Sequence, residues 1–503
     1  MPRYRTTDVA AGQGLFLTVN LKAQLLPGTF EHMLDEIIGT KIDTSVFDQK
    51  YKNDLTGAGA VPPSVLLKLI IYSYSKGCMS SRKIMELNST NIVAKALTGD
   101  MEIHWTTIAD FISVNSKEFK ETFLQVITYC NELGLIGGET FAIDGLRLPS
   151  NASIDMSGTE EQLEKRLGTY KKMAAKHIER HGRKDAQGAS DAETKERFEK
   201  RQRHLNQRMA KISDFLEKMQ RKEGRNGEEI HSNVTDNESA MIHSSKGYIQ
   251  GYIGIAVSDQ KSQVITSAQA VGTANEGEHL PKMLDKNKEN MEEAGVKTEE
   301  GKKPAMCADP NYFSEDNLKA CEKRGIEAVI ASGRCPVSHG PDGQERYNNN
   351  DFTYHEEEDI FECPQGKCLT NKGNAVLRNG EGKIYQASLT DCRQCPAFSK
   401  CMRSKKSQNG LKQGKKIIMT ESRGPESFCN KMRKKLETVE YQDMYANRIQ
   451  IVEPVFANIR YCKGLSRFTL RGEDKVNSQW QLYCMVHNLG KCLNELNRRR
   501  NSA

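Results

Sequence analysis

Three acidic residues in this sequence stand where an acid is costly. Asp144 follows the run TFAI, Asp309 follows AMCA and Glu453 follows IQIV. Each closes a short apolar stretch that reads as buried, and an ionised carboxylate there is expensive unless something pairs with it. No Lys or Arg stands within the four residues before any of them, so a cation is the natural partner. Hard oxygen ligands at strand ends suit Mg²⁺ or Mn²⁺. Two such ions held side by side activate a water or a 3′-hydroxyl and stabilise the leaving oxygen of an in-line phosphoryl displacement. Taken singly, each acid reads equally well as a strand-end or helix-capping residue, so the chemistry requires all three to converge.

A second group of reactive residues lies between the second and third acids. The stretch FECPQGKCLTNKGNAVLRNGEGKIYQASLTDCRQCPAFSKC carries Cys363, Cys368, Cys392, Cys395 and Cys401. Two turns that each bring a thiolate pair to one tetrahedral ion would make a zinc-ribbon-like knuckle, with five candidates for four positions. A redox CxxC is the weaker reading, because no thioredoxin-like βαβ pattern surrounds Cys392 and Cys395. The segment has few apolar residues in any run, so metal binding is expected to supply its missing folding energy.

The elements that must position these groups change texture along the chain. Residues 61–128 read as several short helices: Pro62 and Pro63 precede VLLKLIIYSYSK, Gly77 follows it, Ser80 and Ser81 can cap RKIMEL, and Thr106 or Thr107 can cap IADFISV. From Gly138 the pattern becomes that of strands, with Phe141 and Ile143 on one face and a change of parity after Gly145 that predicts a bulge or bend there. Residues 160–225 carry two charged helical runs, an inserted hairpin of helices. Strand texture returns in KGYIQGYIGIAVSDQKSQVITSAQAV, followed by a helix, the strand before Asp309, a helix from about Ser314 and the strand EAVIAS. This order predicts an α/β (α+β) fold with a mixed sheet, an antiparallel meander leading into α/β units. In IQIVEPVFANIRY, Pro454 predicts that a helix either starts at Glu453 or kinks there, with Val455, Phe456 and Ile459 buried.

At 503 residues the chain is long enough for two to four domains. It holds no apolar run of membrane-spanning length, and MPRYRTTDVAAGQG lacks the centre of a signal peptide, so no membrane partner and a cytoplasmic, nucleoid-associated protein are expected. The net charge of +7 is uneven: residues 393–435 carry 13 Lys or Arg against two acids, and residues 454–503 carry nine against three. A basic last quarter suits a surface that neutralises phosphates, although a solvated face would read alike.

The blocks FAIDGLRLPSNAS, TDNESAMIHSSKGYIQGY, ADPNYFSEDNL, IVEPVFANIRY and RFTLRGEDKV together resemble bacterial insertion-sequence DDE transposases, over about residues 15–490. The resemblance implies an RNase H-like catalytic fold whose metal ligands are Asp144, Asp309 and Glu453, holding two Mg²⁺ or Mn²⁺ ions. It implies cleavage at the element's ends and attack of the freed 3′-hydroxyl on target DNA, by a homodimer or higher synaptic oligomer. Related transposases carry a Tyr, Arg, Glu, Lys signature that Tyr445, Arg448, Glu453 and Arg460 approximate. One extra residue before Glu453 turns Arg448 by about 100° relative to that spacing. Arg448, Arg460, Lys463, Arg467 and Arg471 are the expected DNA contacts. For zinc the resemblance favours Cys363, Cys392, Cys395 and Cys401, with Cys368 as the alternative. The expected division is a helical DNA-binding or assembly domain over 1–135 and a catalytic domain over 136–340 with a helical insertion at 160–230. A cysteine-rich insertion over 341–410 and C-terminal catalytic helices with a basic surface over 411–503 follow. Two rivals share these residues: an RNase H-like nuclease without strand transfer, and an inactive DNA-binding descendant of a transposase.

Overall fold

The computed structural model describes residues 20–51, 59–186, 192–219, 221–224, 227–244, 247–297, 301–332, 338–339, 345–347, 351–377, 380–401, 410–420 and 427–502. The chain forms two compact units, Met1–Ser113 with Leu493–Ala503, and Val114–Cys492.

The first unit is helical: α1 (Phe30–Ile37), α2 (Pro63–Ser75), α3 (Ser81–Thr90), α4 (Ile92–Thr98) and α5 (Trp105–Val114). α2 begins on Pro63, whose missing N–H would lack a partner in a first turn anyway. It is buried from Leu66 to Tyr74 except at Lys68, as expected of a central helix, and Gly77 ends it at φ +73°. Ser80 precedes α3 but its side chain makes no capping bond. α5 starts at Trp105, one residue ahead of the expected Thr cap, because the ring Nδ1 of His104 accepts from the Thr106 amide and lies 2.7 Å from its hydroxyl. The chain's last residues belong here: Asn497 donates to the Gly28 carbonyl at 3.0 Å.

In the second unit α6 (Ser116–Glu132) leads into β1 (Thr140–Pro149). The short strands β2 (Ser157–Gly158) and β3 (Ser232–Asn233) pair beneath a hairpin of two long helices, α7 (Glu160–Ala186) and α8 (Ala192–Lys218). Met156, Leu163 and Ile212 anchor that hairpin, with Tyr170 and Phe215 packed around them. Its connection falls partly on residues outside those described.

The main sheet then continues through β4 (Ala240–Ser244), β5 (Gly247–Asp259), β6 (Ile265–Val271), α9 (Leu280–Glu293), β7 (Ala305–Ala308), α10 (Glu315–Lys323) and β8 (Glu327–Ile330). Its order is β8, β7, β1, β5, with β4 and β6 sharing the far edge of β5. β1 runs antiparallel to β5 and parallel to β7, which runs parallel to β8. This is an RNase H-like mixed sheet, the meander followed by α/β units. The expected bulge at Gly145 is absent, since β1 keeps an unbroken register against β5 from Phe141 to Pro149. The change of parity arises because Phe141, Ala142 and Ile143 are all buried, so the strand is covered on both faces before Asp144.

After two short strands, β9 (Ser338–His339) and β10 (Glu345–Arg346), the cysteine-rich segment forms a five-stranded antiparallel sheet. Its strands are β11 (Thr353–His355), β12 (Ile360–Glu362), β13 (Cys368–Leu377), β14 (Gly380–Ala387) and β15 (Lys416–Thr420), with α11 (Leu389–Arg393) and α12 (Phe398–Cys401) between the last two. The expectation that this segment cannot hold itself is corrected: Phe352, Phe361, Leu369, Tyr385 and Ile417 make a core of its own. These apolar residues are spread one or two to a strand, so no run betrays them.

Helices α13 (Phe428–Lys435), α14 (Val439–Ala457) and α15 (Glu473–Ser502) complete the chain. α14 lies on the sheet through Ile451 and Val452, which meet Ala142, Cys307 and Val329 from β1, β7 and β8. It does not start at Glu453. It passes through Pro454, and the helical irregularity comes after it, in a π turn at Asn458–Cys462. Proline removes one i to i−4 bond, here to the Gln450 carbonyl. Gln263 supplies the substitute, its side-chain amide donating to that carbonyl at 2.9 Å. Val455 and Ile459 are buried as expected, and Phe456 is half-buried, stacked on Trp480 of α15. α15 also covers the free edge of β6: Asn477 accepts from the Ala270 amide, and Asn488 exchanges two bonds with Ile265. Among the described residues no helix is long and apolar enough to cross a membrane.

Trp480 is fully buried and donates to the Ile255 carbonyl at 2.9 Å, with its ring where a side chain on Gly254 would be. A Cβ on Gly254 would lie 2.9 Å from that ring. Gly254→Ala should therefore cost about 1–3 kcal/mol, as overpacking does. An unchanged urea midpoint in that variant would sink the packing argument.

Candidate active site

The parallel pairing of β1 with β7 sets Ile143 beside Ala308, so the next residues, Asp144 and Asp309, emerge side by side. Asp144 accepts from the Gly145 amide at 2.7 Å through one oxygen and from Arg448 Nη1 at 3.1 Å through the other. Asp309 accepts twice from Asn311, from its backbone amide at 3.0 Å and its side-chain amide at 2.9 Å. Burial raises the Asp309 pKa, and the neighbouring Asp144 raises it further against the opposing charges of Arg448 and Arg147. Two carboxylates in this position repel each other and attract a cation. Arg448, reaching down from α14 over the Tyr445 ring, provides part of that charge, and its Nε is buried without a hydrogen-bond partner.

A third acid beside this pair escaped the sequence analysis. Glu276, on the loop between β6 and α9, is only 2% exposed. One of its oxygens accepts from Arg147 Nη2 and from the Asn311 side-chain amide, each at 2.9 Å, and the other is buried with no hydrogen-bond partner. Burial pushes its pKa up to about 7, with Arg147 opposing and Asp144 and Asp309 reinforcing the rise. The fully buried hydroxyl of Tyr312 is also without a partner, and its pKa is raised by burial and then by the same three acids. Glu276 stands in polar sequence, TANEGEH, five residues past the apolar run, so the pattern that flagged the other acids could not find it. The available signal was the motif DGLR. A Cβ on Gly145 would lie 2.0 Å from the free Glu276 oxygen, and Arg147 is its ion-pair partner.

Glu453 is exposed on α14 and makes no hydrogen bond or ion pair with Asp144 or Asp309 among the described residues. Five residues beyond Arg448, it points about 140° round the helix from the side chain that meets Asp144. Of the expected DNA contacts, Arg448 is engaged with Asp144, while Arg467 and Arg471 donate to the backbone carbonyls of Ser150 and Asn151. Lys463 is half-buried. Arg460 is exposed, its guanidinium 5.8 Å from the ring of Tyr461, which is itself 77% exposed on the π turn.

The cysteines sort by position. Cys363, Cys392 and Cys401 pack against the core of the five-stranded sheet, whereas Cys368 is exposed. Burial raises the pKa of Cys401 to about 11, with Lys415 opposing and Cys392, Cys395 and Cys363 adding to it. Cys363 accepts from the Lys367 amide at 3.4 Å and Cys392 from the Lys415 amide at 3.3 Å. The first closes a turn in which Gly366 takes φ +70°. These donors suit thiolates in kind. Among the described residues, however, no three His, Cys, Asp or Glu side chains are drawn together tightly enough to share one ion.

Glu276 occupies the space that a side chain on Gly145 would need, and Ile253 closes it at 2.7 Å from the same point. Gly145→Ala must displace one of them and should cost about 1–3 kcal/mol. Thermal or urea unfolding of that variant measures this, and native stability would contradict the packing.

Comparison with known proteins is consistent with this architecture. A family model described as Transposase DDE domain matches residues 362–493, from the cysteine sheet through Glu453 into α15. A second, described as Transposase domain (DUF772), matches residues 19–114, the helices of the first unit. Curated proteins give no match. The two transposase matches, which flank in sequence the mixed sheet that sets Asp144 beside Asp309, support a bacterial insertion-sequence DDE transposase.

Proposed function

We propose that this transposase cleaves a phosphodiester at each end of its element and joins the freed 3′-hydroxyl to target DNA. The observation that carries the reading is the placement of Asp144 in β1 and Asp309 directly after the adjacent parallel strand β7, with a neighbouring arginine in the position of a counter-ion. Asp144 and Asp309 would hold divalent ions, Mg²⁺ or Mn²⁺, with Glu453 as the third ligand. The repulsion within the pair is what a cation would relieve. When bound, such ions lower the pKa of the attacking oxygen and neutralise the leaving one. In the chain by itself Arg448 supplies the positive charge beside Asp144. For Glu453 to join the aspartates, Arg448 must release Asp144 and α14 must turn, and a DNA phosphate competing for the guanidinium favours that release. Arg460 and Tyr461, exposed on the π turn, offer a charge and a ring to the same DNA. Assembly as a homodimer or higher synaptic oligomer follows from the need to hold two element ends at once.

The test is purified protein with Mg²⁺ and DNA carrying the element's terminal repeats. Cleaved ends and joined product are expected; cleavage without joining would leave a nuclease. Asp144→Ala, Asp309→Ala and Glu453→Ala should each lower cleavage by more than about 100-fold, since even the outer supports of a metal ligand are worth 10- to 100-fold. Wild-type cleavage in Glu453→Ala would remove that residue from the centre.

For the cysteine sheet, Cys363, Cys392, Cys395 and Cys401 are proposed to hold one structural zinc ion. Elemental analysis should find about one zinc per chain, as a closed four-thiolate site implies. Cys392→Ser should reduce that content while Cys368→Ser leaves it intact; equal loss in both would refute the assignment.

A further inference from the structure

The two aspartates sit on separate pieces of backbone, Asp144 inside β1 and Asp309 in the turn after β7. β1 and β7 are in register only up to Ile143 and Ala308, so strand pairing does not itself fix the side chain of Asp309. Along β1 the side chains alternate, which puts Asp144 on the α14 face with Ala142 and turns Gly145 and Arg147 to the opposite face. Glu276 lies over Gly145 on that opposite face, behind the strand. Its bonded oxygen receives Arg147 from β1 and Asn311 from the turn, and the same Asn311 side chain donates to Asp309. Arg147 is held in addition by the His243 carbonyl of β4 at 3.2 Å. A continuous chain of hydrogen bonds therefore runs from β4 through Arg147, Glu276 and Asn311 to Asp309.

We propose that Glu276 is a positioning residue of the catalytic centre, fixing Asp309 at its distance from Asp144 through Asn311. Three features of the site support a built function over a chance contact. A carboxylate almost wholly removed from water is placed against a glycine that leaves no room for any other side chain. Its second oxygen and the Tyr312 hydroxyl are both buried without partners, an expense that packing alone would not require. Finally, Asn311 is exposed, so its two side-chain bonds are not needed to bury it and serve to orient what they join. The link acts through an acceptor oxygen, so an amide at position 276 should serve in part where a methyl group cannot.

This inference rests on the proposed DNA cleavage, and two measurements keep the two apart. Hydrogen exchange reads the position of the turn without any reaction: Glu276→Ala should speed exchange at the Asn311 and Tyr312 amides by roughly tenfold, as local opening becomes easier. Unchanged exchange there would overturn the positioning role and leave the transposase reading intact. In the cleavage assay Glu276→Ala should lower kcat by about 100-fold with KM for DNA little changed, the usual result of misplacing a catalytic group by about 1 Å. Glu276→Gln should recover at least about tenfold of that loss, because its amide oxygen can accept both donors. A glutamine variant as slow as the alanine variant would show that the charge acts directly, and the positioning role would fall. If Glu276→Ala fails to fold, Asn311→Ala breaks the same link at an exposed residue. It should show the same kcat loss at native melting temperature, and native kcat there would overturn the proposal. Failure of the wild type to cleave terminal-repeat DNA would instead sink the underlying function, whatever the exchange data gave.

Discussion

Two like charges held side by side in a partly buried setting repel, and much of this molecule's second unit answers that repulsion. The parallel pairing of β1 and β7 ends at Ile143 and Ala308, so the next residues, Asp144 and Asp309, leave the two strands side by side. Positive charge arrives from two directions. Arg448 descends from α14 on one face, and Arg147 rises from β1 itself on the other. Neither could do so without the packing that carries it: α14 is seated by Ile451 and Val452 on three strands, and Arg147 is tied to β4. The centre is thus a property of the sheet and its covering helix together.

The proline in α14 shows how that helix is kept whole at a point where its sequence works against it. Losing the bond to Gln450 would ordinarily break or bend the helix. Gln263, at the tip of the β5 to β6 turn with φ +60°, donates to the orphaned carbonyl and accepts from Lys491 of α15. The same turn's carbonyl receives His487, whose pKa burial depresses to about 4. One turn of the sheet therefore ties α14 to α15. The helical irregularity lies beyond the proline, in the π turn at Asn458–Cys462, where Arg460 and Tyr461 face solvent.

The five-stranded cysteine sheet is a smaller version of the same economy. Its core of aromatic and aliphatic residues holds the strands, so an ion on the sulfurs would fix the ends of the loops and not create the fold. Asp359, in the β11 to β12 turn, is drawn down to about 2 by hydroxyl donors from Tyr354 and Tyr385 and by Asn371, which gives the sheet a polar clasp besides its apolar one. The basic stretch at residues 393–435 lies within the segment matched by the transposase model.

Period and punctuation were enough for the sequence to determine the order of elements: short helices first, a meander, then α/β units, with Pro63 and Gly77 bounding a central helix and two charged runs forming a hairpin. Those features are local, and local sterics decide them. Asp144 and Asp309 stood out for the same reason, because each ends a short apolar run that reads as buried. Tertiary structure alone decided the rest. No run of residues marks Glu276, whose environment is assembled from β1, a loop and a turn that lie more than a hundred residues from Gly145 in the chain. Nor could spacing foretell that Arg448 would meet Asp144 while Glu453 faced water, since a rotation about a helix axis is fixed by the surface it packs on. That four of the five cysteines are partly buried while Cys368 is exposed is likewise a property of the folded sheet, not of their spacing. Where one element's own geometry sets the outcome, the sequence suffices; where charges from distant segments must be balanced against each other, only their meeting in space settles it.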